Sequence, residues 1–196
     1  MFTGNARALL ASLVVFGTVA ATACSDGSAD GNSHAAETEV ARTVCGRLRT
    51  YTNDLVKVAN NTVTGINTLT PEQRTAAILV GFDNGLEVAR GHAELVDQLE
   101  LDPAVAESES LHDVMVAGAA NAIDELTDER AAFEREVPTV QDDDVAGRTS
   151  QFFNAFEKAM SVTEPAIAVY HRRALSEAFL GEPTCRHVIQ QFRIDD

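Results

Sequence analysis

The sequence is poor in the residues that build aromatic or polyanion-binding surfaces. It has no tryptophan and only 2 tyrosines in 196 residues, which argues against a surface that stacks sugars or nucleobases. It has 15 basic residues against 30 acidic ones, so its formal net charge is −15. A surface of this sign repels phosphate backbones and anionic lipid headgroups. We therefore predict no nucleic-acid partner.

The motifs of common catalytic and cofactor sites are also missing. The sequence contains no Gly-x-Ser-x-Gly elbow, no His-Glu-x-x-His zinc motif, no Cys-x-x-Cys-His haem motif and no glycine-rich phosphate loop. The run Gln141-Asp142-Asp143-Asp144 lacks the spacing of an EF-hand, and acidic residues are favoured at a helix N-terminus. We interpret this run as capping and predict no cofactor. An enzyme assembled from scattered residues is the least favoured alternative.

One half of a di-iron motif is present. Glu109-Ser110-Leu111-His112 matches a single Glu-x-x-His unit, whereas ferritin-like sites need two such units and two further glutamates. His92, His171 and His187 have no glutamate three residues before them. We therefore predict no metal site and place His112 on a solvated face near Glu109.

The first 23 residues have the three parts of a secretory signal. A short segment carrying Arg7 precedes an apolar run from Ala8 to Val19, and small residues follow. The run is shorter than the ~20 residues of a transmembrane helix, so we predict a cleaved signal peptide over 1–23. Because Arg7 is the one charged residue in this segment, cleavage leaves a net charge of −16.

The end of the signal resembles a bacterial lipobox. In that pattern small residues precede a cysteine that directly follows the cut, as in Thr22-Ala23-Cys24, although Ala21 stands where leucine is usual. The resemblance covers the signal segment alone. It implies a diacylglyceryl group on the Cys24 sulfur, often with an acyl chain such as palmitate on the Cys24 amine. It also implies anchoring on the outer face of a bacterial cell membrane. The alternative is ordinary cleavage at Ala21-Thr22-Ala23, which gives a soluble secreted protein.

The cysteine count agrees with lipidation. There are 3 cysteines, and an odd number in an exported protein needs an explanation. If Cys24 carries lipid, Cys45 and Cys185 remain to pair in an oxidising compartment. Neither lies in a Cys-x-x-Cys motif, so we predict a structural disulfide.

Apolar residues recur at helical spacing after the predicted tether at 24–37, which is polar and lacks large apolar side chains. Thr70-Pro71-Glu72-Gln73 has the pattern of a capping box. The register of the last helix continues through Pro165, which indicates a kink or two collinear segments, and Gly181 and Pro183 end it. The predicted helices run over about 38–65, 71–101, 103–136 and 143–180, with an irregular first turn before Ser110 and a short amphipathic tail that contains Cys185.

Four long helices with short connections, and no competing strand pattern, predict an all-α, up-down-up-down four-helix bundle over 38–196. In this topology the start of the first helix and the end of the fourth lie at the same end of the bundle. Cys45 and Cys185 are near those two places. The topology and the cysteine positions therefore predict the same disulfide.

Small residues recur every four positions in the second helix, at Gly81, Gly85, Ala89 and Ala93. Each glycine costs about 1 kcal/mol relative to alanine in a helix interior, which indicates a packing or functional reason. We favour a close helix crossing, and a ligand groove beside Gly81 and Gly85 is the alternative.

These patterns favour a non-enzymatic, lipid-anchored, extracytoplasmic helical module that binds an unknown partner. The membrane is its first partner, through the lipid on Cys24. The main alternative is a periplasmic-type protein that binds a small molecule or metal in a pocket of the bundle.

Overall fold

The computed structural model describes residues 28–136, 145–161, 167 and 175–191. These residues form helices and connecting turns, and no strand occurs among them. The helices are α1 (Ser28–Val63), a 3-10 turn (Ile66–Thr68), α2 (Pro71–Asp97), α3 (Ser108–Glu136), α4 (Val145–Ser161), α5 (Ser176–Gly181) and α6 (Pro183–Gln191).

The turn between α1 and α2 follows local sequence chemistry. Gly65 has a φ of 76°, in the left-handed region that glycine adopts without steric penalty, and α1 ends two residues before it. The Thr70 hydroxyl accepts a hydrogen bond from the Gln73 amide, and the Gln73 side chain accepts one from the Thr70 amide. The predicted capping box is therefore confirmed, and it fixes the start of α2 at Pro71.

Two helix starts differ from the predicted ones. The first helix begins at Ser28, ten residues before the predicted Thr38, so it includes most of the segment predicted as a flexible tether. The third helix begins at Ser108 and not at Pro103, and the irregular turn expected before Ser110 is present there. The Asp102 carboxylate accepts a hydrogen bond from the Ala104 amide and stabilises this turn. Local side-chain bonds of this kind compete with helix formation.

Several predictions for the last helix lie outside the described residues. The predicted capping run with its three aspartates lies in the segment 137–144, which is outside them, and Pro165 is outside them too. Within the described part, α4 ends at Ser161 and α5 ends at Gly181. The amphipathic tail after Pro183 forms the short helix α6, with Pro183 at its first position.

The first two helices are antiparallel. Tyr51 near the middle of α1 stacks on His92 near the end of α2, with 4.3 Å between the ring centroids. Thr62 at the end of α1 lies beside Gly81 in the first half of α2. The contact positions therefore run in opposite directions along the two helices.

The second and third helices are also antiparallel. The imidazole of His112, near the start of α3, is 3.0 Å from the carbonyl of Val96 near the end of α2. The Arg130 guanidinium donates to the Asp83 carboxylate over 2.7 Å at the opposite end of the pair. A short connection between adjacent helices gives this arrangement in bundles.

The fourth helix closes the bundle. Lys158 pairs with Glu129 of α3, and Gln151 donates to Glu136 over 3.3 Å, so α3 and α4 are antiparallel. The Tyr51 hydroxyl of α1 donates to the Ala159 carbonyl of α4 over 3.2 Å. The predicted up-down-up-down helical bundle is confirmed.

Two groups of buried apolar residues fill the bundle. One surrounds an aromatic group in which Phe82 lies 5.1 Å from Phe152, and Phe152 lies 4.6 Å from Phe156, between ring centroids. The other lies at the end where α1, α5 and α6 meet, around Cys45 and Cys185. These two cysteines form a disulfide with 4.9 Å between their Cα atoms, which confirms the predicted pairing. The bridge joins the end of the chain to α1.

Candidate functional site

The small-residue row of α2 packs against aromatic rings. A Cβ atom at Gly85 would lie 2.5 Å from the Phe156 ring, and one at Gly81 would lie 2.6 Å from Thr62 and 2.8 Å from the Phe152 ring. Both glycines are buried. The row is a close helix crossing, because α4 places Phe152 and Phe156 in the space beside Gly81 and Gly85 where a ligand groove was the alternative.

The half-motif around Glu109 joins two helix ends. The His112 side chain is half-buried, and its Nε2 lies 3.0 Å from the Val96 carbonyl, so a proton on Nε2 makes the imidazole the donor. This differs from the predicted solvated position. The Val96 carbonyl also accepts from the Leu99 amide, so the imidazole adds a second bond that ties α3 to the last turn of α2, which is a structural role. Glu109 and His112 line a shallow cavity of about 610 Å³ beside the α2–α3 connection.

The described residues bring together no group of three histidine, cysteine or acidic side chains that could hold a metal ion. Cys24, the predicted lipidation site, lies outside the described residues. In the part of the chain that the structure describes, no helix is long and apolar enough to cross a bilayer.

A candidate binding surface lies between α1 and α2. Val80 is 56 % exposed and Leu95 is 43 % exposed, and Val88 is half-buried between them along α2. Fifteen residues of helix separate Val80 from Leu95, which corresponds to about 22 Å. We call this surface the α1–α2 face. Its two ends are an open depression of about 630 Å³ and a smaller pocket of about 230 Å³, and Val88 lines both.

The smaller end, here called the Tyr51–His92 pocket, contains a buried polar ring, that of His92. His92 lines it, is 6 % exposed and stacks on Tyr51 with an interplanar angle of 18°. The Tyr51 hydroxyl points elsewhere and donates to the Ala159 carbonyl. Among the described residues, none forms a hydrogen bond with the His92 ring. Apolar wall is supplied by Val88 and Leu95.

The electrostatics of the pocket keep this imidazole neutral. Burial lowers the pKa of His92 to about 4, and the positive charge of Arg47 contributes in the same direction. Burial also raises the pKa of the Tyr51 hydroxyl. At neutral pH His92 therefore carries one N–H donor and one ring-nitrogen acceptor.

The charged residues at the pocket mouth are unequally engaged. Asp54 pairs with Lys57 over 2.7 Å, one turn along α1. Arg47 also lines the pocket, and no described residue forms an ion pair or hydrogen bond with its guanidinium. The mouth therefore presents an available positive charge on a chain whose net charge is strongly negative.

Sequence reasoning did not find this pocket. His92 has no glutamate three residues before it, so the di-iron pattern does not include it. The feature that identifies the pocket is the antiparallel register of α1 and α2, which places the Tyr51 ring against the His92 ring. That register depends on the tertiary structure.

Comparisons with known proteins add no information about this site. Comparison of the chain with protein-family models, with curated proteins and with solved structures found no match.

Proposed function

We propose that this chain is an exported, lipid-anchored helical module that binds a partner protein through the α1–α2 face and has no catalytic activity. The observation that carries the proposal is the exposed apolar row along that face. Val80 and Leu95 are two of the five large apolar residues that are exposed in the described structure, and half-buried Val88 connects them. A groove between two helices with apolar residues at helical spacing fits an apolar helical segment of a partner.

The filled interior supports binding at the surface over binding inside the bundle. Phe152 and Phe156 occupy the space beside Gly81 and Gly85, where an internal ligand groove was the alternative. The cavities beside the α2–α3 connection and along the α1–α2 face open to the surface, between helices or at helix ends. A module of this type would contribute a rigid binding face.

The lipid anchor on Cys24 is part of the same proposal and rests on the lipobox resemblance and the cysteine count. Cys45 and Cys185 pair with each other, which leaves Cys24 as the cysteine that needs another modification. The helix α1 begins at Ser28, four positions after Cys24, and Ala36 already packs against the core. About 12 Å of helix therefore lies between Ser28 and the first core contact at 1.5 Å per residue, and this length would hold the acidic domain away from the headgroups.

Anchoring is tested by replacing Cys24 in the native host. We expect Cys24→Ala to move the protein from the membrane fraction to the soluble fraction, or to stall its processing, because the acyl chains have no attachment point. The neighbouring variant Ser25→Ala is the control and should stay with the membrane. The measurement is fractionation with intact-mass analysis of the mature protein. Mature protein that begins at an unmodified Cys24 would refute the anchor.

Partner binding is tested by site-specific photo-crosslinking of the anchored protein in its host. A photo-reactive residue at position 80 or 95 should give the same discrete adduct, whereas the exposed positions 124 and 128 on α3 should not, because they lie on another helix surface. Leu95→Glu should reduce the adduct formed at position 80 about ten-fold, since it places a charge in an apolar contact. Identical adducts from all four positions, or none from 80 and 95, would contradict a binding role of this face.

A further inference from the structure

We infer that the Tyr51–His92 pocket binds a carboxylate group carried on a small apolar body. This inference rests on the proposed function in that it takes the α1–α2 face as the binding surface. It adds a chemical class of ligand to one end of that face. The free small acid and the carboxyl-terminal residue of a bound peptide share this chemistry, and the experiment below separates them.

The first support is the size and lining of the pocket. Its volume of about 230 Å³ is room for roughly seven or eight water-sized groups. Val88, Leu95 and the face of the Tyr51 ring supply apolar surface, and Gly91 contributes no side chain. A ligand with a hydrocarbon part of about five or six carbons and one polar end therefore fits this space. Small ligand sites commonly combine apolar walls with a few placed polar groups.

The second support is the hydrogen-bonding capacity of His92. His92 is buried, with 6 % of its surface exposed, it lines the pocket, and no described residue bonds to its ring. A ligand in the pocket can therefore bond to a ring nitrogen that has no partner among the described residues. Because the imidazole is neutral, its ring N–H can donate to a carboxylate oxygen without adding a second positive charge. The ring is held in place by stacking on Tyr51, so little ordering is needed when a ligand binds.

The third support is the sign of the charge at the mouth. The Arg47 guanidinium lines the pocket and lacks a partner among the described residues, while Asp54 is engaged by Lys57. A planar guanidinium matches the two oxygens of a carboxylate and forms two parallel hydrogen bonds with it. The same charge disfavours an amine. A single arginine on a chain with net charge −15 also favours a monoanion over a phosphate dianion.

The test measures binding of hexanoate to the full exported protein with its disulfide intact, in nonionic detergent, by titration of the His92 ring signals in NMR spectra. Hexanol and hexylamine have the same chain without the negative charge and serve as ligand controls. We expect hexanoate to bind with a dissociation constant on the order of 1 mM or below, and the two controls to bind at least ten-fold more weakly.

Matched variants identify the groups responsible. Arg47→Gln should weaken hexanoate binding about ten-fold or more, whereas Arg49→Gln makes the same charge change at an exposed position two residues away and should leave it unchanged. Gly91→Leu should block the pocket, and a Cβ atom at Gly91 meets no atom within 4 Å, so the variant should fold. His92→Phe keeps an aromatic ring beside Tyr51 and should weaken binding several-fold by removing the N–H donor.

A further pair of probes separates the two sources of the carboxylate. A tetrapeptide that ends in leucine is compared with the same peptide amidated at its carboxyl end. Binding of hexanoate alone supports a free acid, and tighter binding of the acid peptide than of hexanoate supports a peptide terminus. Equal binding of hexanoate and hexanol, an unchanged affinity in Arg47→Gln, or no binding of either acid at 20-fold the expected constant would overturn the inference.

The outcome is independent of the crosslinking result. Acid binding without position-specific crosslinks would remove the protein partner and keep the pocket. Crosslinks at positions 80 and 95 without acid binding would keep the partner and overturn the pocket assignment.

Discussion

Replacing Cys45 or Cys185 by serine is expected to lower the free energy of unfolding by up to about 5 kcal/mol. The bridge joins residues 140 positions apart, and the entropy that a cross-link removes from the unfolded chain grows with the length of the enclosed loop. Both cysteines are fully buried in the group of apolar residues where α1, α5 and α6 meet. The serine hydroxyls would add buried polar groups to the loss of the bridge.

The measurement is thermal and denaturant unfolding followed by circular dichroism. We expect the midpoint temperature to fall by about 10 °C or more, while the helical signal at 20 °C is largely kept because the apolar interfaces of α1 to α4 remain. Wild-type protein treated with a reductant should match the double serine variant, and the variant should not respond to the reductant. Peptide mapping without reduction gives the direct control. Two free thiols at Cys45 and Cys185 in protein exported by its native host would refute the pairing.

Lowering the pH from 7 to 4 is expected to remove about 3 kcal/mol of stability through His92 alone. The pKa of His92 is about 4 in the folded protein, and its ordinary value is 6.5, so the unfolded chain takes up the proton first as the pH falls. Stability therefore decreases as the pH falls from about 6.5 towards 4, and this contribution levels off below 4. The physical reason is that the folded state would have to bury a charged imidazole near the Arg47 guanidinium.

The experiment compares free energies of unfolding at several pH values in wild type, His92→Gln and His34→Gln. Carboxylates also titrate towards the lower end of this range, but they are the same in all three proteins, so differences between the curves isolate each histidine. His34→Gln removes an exposed histidine and is the control for the substitution itself. His92→Gln should show a shallower decrease between pH 6.5 and 4 than the wild type. Parallel curves for wild type and His92→Gln would show that His92 ionises in the folded state as it does in the unfolded chain.

The first prediction tests the scaffold of the bundle, and the second tests the proposed binding surface. The disulfide holds α6 on α1 and closes the bundle, so its loss tests the scaffold. The neutral His92 lies in the proposed binding surface. A neutral N–H donor beside the single positive charge of Arg47 fits a ligand with one carboxylate and an apolar body. Lipid on Cys24 would place that surface on the outer side of a membrane.

Features that depend on neighbouring residues could be predicted from the amino-acid sequence alone. Apolar spacing of three and four identified α1 to α4, because a helix of 3.6 residues per turn gathers such residues on one side. Thr70 and Gln73 fixed the start of α2, because the capping box involves groups three residues apart. The cysteine count and the expected topology together identified the bridge between Cys45 and Cys185. The two cysteines lie far apart in the sequence, but the connectivity of the bundle brings them to the same end.

Local patterns also misled where weak preferences compete. The polar residues 28–37 have no large apolar side chain, yet they continue α1 as a helix, and hydrogen bonds such as that from the Thr38 hydroxyl to the His34 carbonyl lie along it. Pro103 suits a first helical position, but the Asp102 turn delays α3 to Ser108. In both places several conformations have similar local free energies. Hydrogen bonds between near neighbours stabilise the observed conformation in each case.

The roles of Gly81, Gly85 and His92 depend on how complete helices pack against each other. The sequence offered two interpretations of Gly81 and Gly85, and the insertion of Phe152 and Phe156 from α4 selected the close crossing. The stacking of His92 on Tyr51 depends on the register between two helices whose contacting residues are 41 positions apart. Helical periodicity fixes which side of its own helix a residue occupies, but it carries no information on which residue of another helix lies opposite. That choice is made by the packing of complete side chains, and it is the packing that creates the pocket.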